Sequence, residues 1–394
     1  MKLTELLEDP GAHREPFFIF RPHILQKAVR YFQSHFDGKV LYAIKTNPEP
    51  HIIQQVHALG VHSFELASLP EIELVKSLFP DCECFFMNPV KSRQAIREAY
   101  FTYGVRHFSL DSEAELKKIM EETENAKDLA LHVRLSIPNT YAEHSLADKF
   151  GINMINAPTL LKATRQAAEK LGVCFHVGSQ CMHPDAYRIA IRMTRDLLRP
   201  LRFSIDSLNV GGGFPSIYPG LIPPPLEHYF TAIRQEFSIM NRNRNLKLYC
   251  EPGRALVAES TSLIIQVLLR KNDALYINDG IYGAMFDAGF PKLIYPVQHI
   301  KPRESEDNSL TAYRFYGPTC DSLDQMAGPF YLPNNIKEGD FIEVGQLGAY
   351  GRTLSTKFNG FTQRKDVFNV DDEPLMTLYD TSAISREPLE VIAA

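Results

Sequence analysis

One lysine stands at the end of an apolar run. Lys45 closes the segment Leu41-Tyr42-Ala43-Ile44-Lys45, which has the pattern of a buried strand. Removal from water lowers the pKa of a lysine, and its neutral amine can then form a Schiff base with a carbonyl compound. A lysine at a strand end can also simply extend its ammonium into solvent. Taken alone, Lys45 leaves both interpretations open.

A run of three glycines could bind an anion. Gly211, Gly212 and Gly213 follow an apolar segment and would expose backbone amides to a phosphate group. A plain tight turn explains them equally well. A dinucleotide fingerprint is disfavoured, because Phe214 and Pro215 follow where that motif would open a helix.

A carboxylate, a guanidinium and an imidazole stand at the ends of other apolar segments. Glu251 and Arg254 are three residues apart in Glu-Pro-Gly-Arg, and either a structural ion pair or a cofactor clamp would explain them. If the cofactor is a pyridine, Glu251 would keep its ring nitrogen protonated. His176 could stack on such a ring, although a lone histidine is more often structural.

A thiol and a carboxylate adjoin each other much later in the chain. Cys320 and Asp321 lie in Gly-Pro-Thr-Cys-Asp, which has the composition of a loop. They could contribute to a site shared between two chains. Cys320 could equally be an ordinary buried residue, and Asp321 could cap a turn.

Eight short apolar runs alternate with segments of helical periodicity from about residue 38 to 255, which predicts a parallel (β/α)8 barrel. In such barrels the chemistry gathers at the carboxyl ends of the strands, where most of the polar residues named above stand. An insert over 136–157 is expected to form a loop near the mouth. The runs are Val40–Lys45, His62–Leu66, Glu83–Asn88, Arg106–Leu110, Leu129–Leu135, Val173–Val177, Ser207–Val210 and Lys247–Glu251.

After about residue 260 the pattern becomes strands without intervening helices, which predicts a second, all-β domain of the sandwich or barrel type. Its runs are Leu263–Leu269, Leu275–Asn278, Leu293–His299, Thr311–Tyr316 and Phe341–Val344. The early run Pro16–Phe20 is expected to join that domain. The predicted division is therefore 24–260 for the barrel and 1–23 with 261–394 for the β domain.

Composition narrows the function classes. The 394 residues are 44% hydrophobic and 23% charged, which is enough for a large core, and the net charge of −5 argues against nucleic acid as a partner. No apolar stretch is long enough to span a membrane. The six cysteines show no Cys-x-x-Cys pair or zinc-site spacing, so a reducing cytoplasm and no structural metal are expected.

These motifs, in this order, resemble the fold-type III pyridoxal-phosphate (PLP) decarboxylases, the ornithine, diaminopimelate and arginine decarboxylase group. The resemblance implies PLP as cofactor and a homodimer in which Cys320 and Asp321 reach the partner's site. The Cys-Asp pair is similar to the ornithine type of compact bacterial relatives, whereas Glu65 replaces the aspartate usual in that type.

The resemblance also implies roles for individual residues. The implied catalytic residues are Lys45, His176, Glu251 and Cys320. Residues implied to bind substrate are Asp279, Asp321, Tyr282 and Phe358. The cofactor set is Lys45, Glu65, Arg134, His176, Ser179, Gly211, Gly212, Gly213, Glu251, Gly253, Arg254 and Tyr350.

The expected activity is decarboxylation of L-ornithine to putrescine. L-Lysine is one methylene longer, and pockets discriminate a methylene by only about 1–3 kcal/mol, so activity on lysine is also expected. A diaminopimelate enzyme would need a cation where Asp279 and Asp321 are expected. A racemase on the same barrel and a non-catalytic regulator that keeps the fold are the remaining alternatives.

Overall fold

The computed structural model describes residues 2–7, 15–145, 149–242, 245–290, 292–300, 309–361 and 366–379. The strands are β1 (Phe17–Phe20), β2 (Lys39–Val40), β3 (Tyr42–Ala43), β4 (Ser63–Leu66), β5 (Glu83–Phe86), β6 (His107–Leu110), β7 (Ala130–Arg134), β8 (Ala142–His144), β9 (Lys170–Cys174), β10 (Ser179–Cys181), β11 (Ser207–Asn209), β12 (Lys247–Cys250), β13 (Thr261–Lys271), β14 (Ala274–Ile277), β15 (Val297–Ile300), β16 (Leu310–Tyr316), β17 (Gln325–Pro333), β18 (Phe341–Val344) and β19 (Val367–Asn369).

The helices are α1 (Leu3–Leu6), α2 (Pro22–His35), α3 (Pro50–Ala58), α4 (Leu69–Leu78), α5 (Arg93–Phe101), α6 (Glu113–Glu122), α7 (Ala157–Ala167), α8 (Asp185–Leu198), α9 (Leu226–Met240), α10 (Arg254–Val257) and α11 (Phe286–Gly289). In the described part of the chain, none of them has the length and apolarity that crossing a bilayer would require.

The first large sheet is a parallel barrel, as the eight runs predict. Its order is β2-β12-β11-β9-β7-β6-β5-β4-β3. β2 and β3 are two parts of one run, interrupted at Leu41, whose N–H donates to the carbonyl of Cys250 at 2.8 Å. Because β2 pairs with β12 and β3 pairs with β4, this run joins the two ends of the sheet.

Three of the barrel helices begin at a capping serine. Ser68, Ser92 and Ser112 each accept a hydrogen bond from a backbone N–H in the first turn of α4, α5 and α6. The caps of α4 and α6 lie two residues after the preceding strand ends, so the βα loops are short at these two places.

A cluster of polar side chains lies near the amino ends of several barrel strands. In this cluster, Glu83 accepts hydrogen bonds from Lys39 at 2.5 Å and from Ser63 at 2.8 Å. His107 and His132 bond through their ring nitrogens at 3.0 Å. Burial, with the nearby His107, holds the pKa of His132 well below its ordinary value.

The second sheet contains eight strands, in agreement with an all-β second domain. Its central path is β15-β18-β13-β14-β16-β17. β1 pairs with β13 antiparallel, Phe17 opposite Ile264, so the early run joins this sheet as predicted. The sequence analysis missed β17 and β19, and the run predicted from Leu293 begins as a strand only at Val297. The domain boundaries at 23/24 and 260/261 stay a prediction.

The insert over 136–157 contains a strand rather than forming a simple loop. Its strand β8 pairs antiparallel with β10, which places His144 opposite Ser179. The insert therefore contributes a strand beside one of the predicted cofactor residues.

Candidate active site

Lys45 lies on a 3-10 turn rather than at a strand end. β3 stops at Ala43, and the turn Ile44–Thr46 follows it. Its Nζ donates to Oε2 of Glu65 at 3.0 Å, and the lysine side chain is 41% exposed whereas that of Glu65 is only 4% exposed. Burial alone would lower the pKa of Lys45, but Glu65, Tyr350 and Glu251 outweigh it and raise this pKa above its ordinary value. Of the two interpretations left open by the sequence, the structure favours a charged amine in the ligand-free protein, because a counter-ion lies beside it.

Glu251 is buried in a position where its proton is easily retained. Asn209 donates a hydrogen bond of 2.6 Å to its Oε1. Burial, assisted by the neighbouring charge of Glu65, raises the pKa of Glu251 to about 7. Glu251 thus binds Asn209 rather than forming an ion pair with Arg254.

His176 is neutral in this surrounding. Its Nδ1 accepts a hydrogen bond from the N–H of Gly178 at 3.0 Å, and burial together with the charges of Lys45 and Arg134 holds its pKa well below the usual value. Asn139, from the insert, donates to the His176 carbonyl at 3.0 Å. A flat, uncharged ring is thereby held near the mouth of the barrel.

The three glycines form a tight cradle. Gly211 and Gly213 have φ of +69° and +97°, the left-handed region that favours glycine. A Cβ on Gly212 would lie 2.6 Å from the carbonyl oxygen of Glu251 and 3.2 Å from Nε2 of His176. The absent side chain of Gly212 therefore leaves room between the glycine loop, the imidazole of His176 and the backbone carbonyl of Glu251.

Arg254 is buried with two fixed partners. Its Nη1 donates to the hydroxyl of Tyr218 at 2.8 Å, and its Nη2 donates to Oδ2 of Asp287 at 3.1 Å. The guanidinium carbon is 4.9 Å from the ring centroid of Tyr350. Its Nε is buried and has no protein hydrogen-bond partner among the described residues. One edge of this cation is thus left for a ligand.

The remaining cofactor candidates surround the same mouth. Tyr350 has φ of +60°, and its N–H bonds to the carbonyl of Thr46, next to Lys45. Gly253 leaves room for the hydroxyl of Thr46, since a Cβ there would lie 2.0 Å from Oγ1. Ser179 lies in β10, and Arg134 ends β7 with its guanidinium 5.4 Å from the ring of Phe150.

Cys320 and Asp321 form a second cluster with Tyr282 and Phe358. The hydroxyl of Tyr282 donates to Oδ2 of Asp321 at 2.5 Å, and its ring centroid is 4.9 Å from that of Phe358. The thiol of Cys320 is exposed, unlike the other five cysteines, so it is not an ordinary core residue. Asp321 also accepts from the N–H of Leu323 at 3.0 Å and so caps a turn.

Asp279 is anchored to its own loop through one carboxylate oxygen. Its Oδ1 accepts hydrogen bonds from the N–H groups of Gly280 at 2.7 Å and Ala284 at 2.8 Å. A neighbouring carboxylate, Asp324, accepts from the N–H and the hydroxyl of Thr319 and ties the Cys320 loop to that loop. Asp279 is buried whereas Asp321 is partly exposed, and the substrate-binding role of each stays a prediction.

No direct contact connects the principal residues of the two clusters in the described part of the chain. Among those residues, no hydrogen bond, ion pair or ring contact links Cys320 or Asp321 with Lys45, His176 or Glu251.

Four supporting residues escaped the sequence analysis. Asn209 is the last residue of β11, one position before the end of the seventh run, and its polar side chain in an apolar run could have been noticed. Tyr218, Asp287 and Asp324 carry no spacing signal, because they meet Arg254 or the Cys320 loop only in the folded chain.

The polar atoms and glycines of the first cluster suit a ring that carries a phosphate. An amine, a buried carboxylate and a flat imidazole face a glycine cradle, and the Nε of Arg254 and the Oγ1 of Thr46 are buried without protein partners. Residues 22–258 match the family model described as "Pyridoxal-dependent decarboxylase, pyridoxal binding domain". The chain belongs to this family.

Similar proteins extend the match to almost the whole chain. Decarboxylase flvG of Aspergillus flavus is 32% identical, over 93% of this chain and 88% of that protein. Antizyme inhibitor 2 of Xenopus laevis is 30% identical, over 89% of this chain and 80% of that protein. The lysine/ornithine decarboxylase of Selenomonas ruminantium is also 30% identical, over 88% of this chain and 87% of that protein.

Solved decarboxylase structures have the same fold as this chain. A mutant of SrLDC in complex with PLP superposes with a TM-score of 0.83 at 26% identity, covering 95% of this chain and 96% of that one. The lysine/ornithine decarboxylase of Vibrio vulnificus, complexed with cadaverine, gives a TM-score of 0.80 at 28% identity, covering 94% and 98%. These matches confirm the prediction of a fold-type III PLP-dependent amino-acid decarboxylase, its cofactor and its fold. The roles of individual residues stay predictions.

Proposed function

We propose that this decarboxylase converts L-ornithine to putrescine and also accepts L-lysine. The observation that carries the proposal is the partly exposed carboxylate of Asp321, held by the hydroxyl of Tyr282 at 2.5 Å and next in sequence to the exposed thiol of Cys320. An anion next to a proton donor suits a substrate whose distal end is an ammonium. Relatives named for ornithine and lysine support the same substrate class.

The residues at the barrel mouth hold and polarise the cofactor. Bound PLP supplies the electron-poor ring that accepts the electron pair left when CO2 departs. Lys45 supplies the amine that anchors it, the carboxyl of Glu251 keeps a proton at the ring nitrogen, and the imidazole of His176 stacks on the ring. Glu65 remains beside Lys45 as its counter-ion, and Arg134 adds a positive charge near His176.

The phosphate of the cofactor is assigned to the other end of the mouth. Backbone N–H groups of Gly212 and Gly213 would donate to it, together with Ser179, Gly253, Arg254 and Tyr350. Gly211 would shape the same loop, since its N–H already donates to Oδ1 of Asn209 at 2.9 Å. The free Nε of Arg254 supports this assignment, because a buried donor without a partner is costly until an acceptor arrives.

The second cluster acts on the substrate. Cys320 Sγ donates a proton to Cα after CO2 has left, and Asp321 binds the distal ammonium. Tyr282 and Phe358 line the pocket around the aliphatic chain. Asp279 is a weaker candidate for the ammonium, because its Oδ1 is occupied by two backbone donors.

The site is completed by a second copy of the chain. The lack of a direct contact between the principal residues of the two clusters, in the described part of the chain, supports a homodimer in which each subunit supplies Cys320 and Asp321 to the other. The exposed apolar side chains next to these residues, Leu323 at 64%, Phe358 at 40% and Phe361 at 49%, would be covered by such a partner.

Other substrates and functions are less favoured. A diaminopimelate substrate would bring its distal carboxylate against Asp321, and the two anions would repel each other. The match to antizyme inhibitor 2 favours a regulatory protein as the second candidate, but Lys45, Glu251 and Cys320 are all present here. The proposed setting is the cytoplasm, a reducing compartment that suits six free cysteines.

Parallel assays of the purified protein test this proposal. L-Ornithine, L-lysine and meso-diaminopimelate are supplied separately, and CO2 release and the mass of the amine product are measured. We expect putrescine as the main product and cadaverine from lysine. Release from diaminopimelate alone would contradict the substrate assignment, and a protein with no bound cofactor and no product would favour the regulator.

Replacement of Lys45 tests the cofactor anchor. Lys45→Ala should abolish the visible absorption of the bound cofactor and nearly all turnover, whereas Lys162→Ala, an exposed lysine on α7, should change neither. A Lys45→Ala protein with near-normal turnover would contradict the assignment.

A further inference from the structure

Arg254 and Asp287 form a buried pair between two parts of the molecule. Arg254 opens the short helix α10 after the last barrel strand, and Asp287 lies on α11, which follows β14 of the second sheet. Nη2 of the arginine is 3.1 Å from Oδ2 of the aspartate, and both side chains are less than a tenth exposed. An aspartate at this place is unexpected, because an anion close to a phosphate site weakens attraction for the phosphate.

The geometry around Arg254 explains why an aspartate is found at position 287. A guanidinium has five N–H donors in one plane. Tyr218 takes one hydrogen from Nη1 and Asp287 takes one from Nη2, so both terminal nitrogens are fixed. The ring of Tyr350 lies on one face of the cation, with its centroid 4.9 Å from Cζ. The plane of Arg254 is thus set from two edges and one face, and its Nε–H remains without a protein acceptor.

Charge balance gives a second reason for the presence of Asp287 beside Arg254. An isolated cation buried to this degree would be strongly destabilising, and loss of one partner of a buried ion pair leaves the other uncompensated. Asp287 therefore keeps Arg254 charged and inside the protein before any ligand arrives. His144 lies near this pair, since the charges of Arg254 and Asp287 both act on its pKa, and β8 places it opposite Ser179. The pair consequently borders the segment that carries another proposed phosphate ligand.

We infer that Asp287 is a positioning residue that holds the guanidinium of Arg254 in the orientation needed to bind the phosphate of the cofactor. The inference rests on the assignment of Arg254 to the phosphate under the proposed function. Asp287 touches neither substrate nor phosphate in this scheme and acts only through Arg254.

The test compares two forms of the cofactor. The full-length chain, freed of cofactor, is titrated with PLP and with pyridoxal, which lacks the phosphate, and binding is followed by visible absorption and protein fluorescence. We expect Asp287→Ala to weaken PLP binding about tenfold or more, as for loss of a charged hydrogen bond. Binding of pyridoxal should change less than twofold. Asp287→Asn keeps an acceptor for Nη2 and should restore most of the PLP affinity.

Two further variants separate positioning from general damage. Arg254→Ala should also weaken the binding of PLP more than that of pyridoxal. The double variant Arg254→Ala/Asp287→Ala should bind PLP no more weakly than Arg254→Ala alone, because Asp287 acts through the arginine. The matched control is Glu343→Gln, which removes the negative charge from the buried pair of Glu343, in β18, with Arg21, at the start of α2, 2.7 Å apart. That variant should lower stability without changing the ratio of PLP to pyridoxal affinity.

Several results would overturn the inference. Asp287→Ala could bind PLP as tightly as the unaltered protein or more tightly, which would make Asp287 a counter-charge only. The variant could weaken the binding of pyridoxal as much as that of PLP, or its effect on PLP binding could add to that of Arg254→Ala. Either result would show that Asp287 does not act through the guanidinium of Arg254. An Asp287→Asn protein as weak as Asp287→Ala would likewise contradict positioning by the hydrogen bond. If Arg254→Ala binds PLP normally, the phosphate assignment itself fails, which distinguishes the two hypotheses.

Discussion

Mixing two inactive variants should restore activity if each site uses two chains. Lys45→Ala removes the cofactor anchor from the first cluster, and Cys320→Ala removes the proposed proton donor from the second. Each variant should be inactive alone, because every site of its homodimer lacks one of the two groups. In a mixed dimer, one site receives both altered residues and the other receives none. That second site should work normally.

The size of the recovery follows from dimer statistics. When the two variants are coexpressed in equal amounts, about half of the dimers are mixed, and each has one intact site of two. The expected turnover of the unfractionated mixture is therefore about one quarter of that of the unaltered protein, and that of isolated mixed dimers is about one half. Both figures require that Lys45 and Cys320 of one chain do not serve the same site; no direct contact between them is found among the described residues.

The assay is decarboxylation of L-ornithine by protein purified through two different affinity tags, one on each variant, so that only mixed dimers are measured. A second mixture supplies the control: the double variant Lys45→Ala/Cys320→Ala coexpressed with the unaltered chain. If sites are shared, its mixed dimers should be inactive; if each chain carries its own site, they should retain about half of normal turnover. No recovery in the first mixture, with half-active dimers in the second, would refute the shared site.

Three further changes test separate parts of the site and the barrel. Asp321→Asn should raise the KM for L-ornithine about tenfold or more through loss of a charged contact, with PLP binding unchanged, as steady-state kinetics and PLP titration would report. Gly212→Ala should weaken PLP binding in a fluorescence titration, because the added Cβ would lie 2.6 Å from the carbonyl oxygen of Glu251; unchanged affinity would contradict the cradle. The free energy of unfolding should fall as the pH decreases below about 6.5, because the folded pKa of His132 is lowered and the unfolded chain takes up its proton first. Urea unfolding at several pH values should show that His132→Gln reduces this slope, whereas the exposed His228→Gln leaves it unchanged.

Much of the fold was predictable because its signals are local. Eight apolar runs separated by helical periodicity correspond to the observed barrel strands, since a strand buried on both faces must be apolar throughout. β17 was missed because its exposed and buried residues alternate around a glycine and a proline at 328 and 329, which interrupt the usual strand pattern. β19 is three residues long and depends on pairing with β1, a partner far away in sequence.

The site was predictable in its parts and less so in its electrostatics. Burial alone would lower the pKa of Lys45, but the Glu65 carboxylate at 3.0 Å reverses the direction of the pKa shift. Spacing in the sequence predicts which residues end strands. The pKa of such a side chain also depends on which strand ends become its neighbours in the folded chain. β3 and β4 are adjacent, and that adjacency places the carboxylate beside the amine.

The second domain has two separable tasks in this arrangement. Through Asp287 and Tyr350 it contacts Arg254 and the Lys45 turn of its own barrel, the residues proposed to hold the cofactor. Through the Cys320 cluster it carries the groups that the proposed shared site takes from a second chain. The proposal therefore requires that cofactor retention depend on contacts inside one subunit and that turnover depend on contacts between subunits. Under that proposal, a change that loosens the dimer should reduce turnover while the cofactor stays bound.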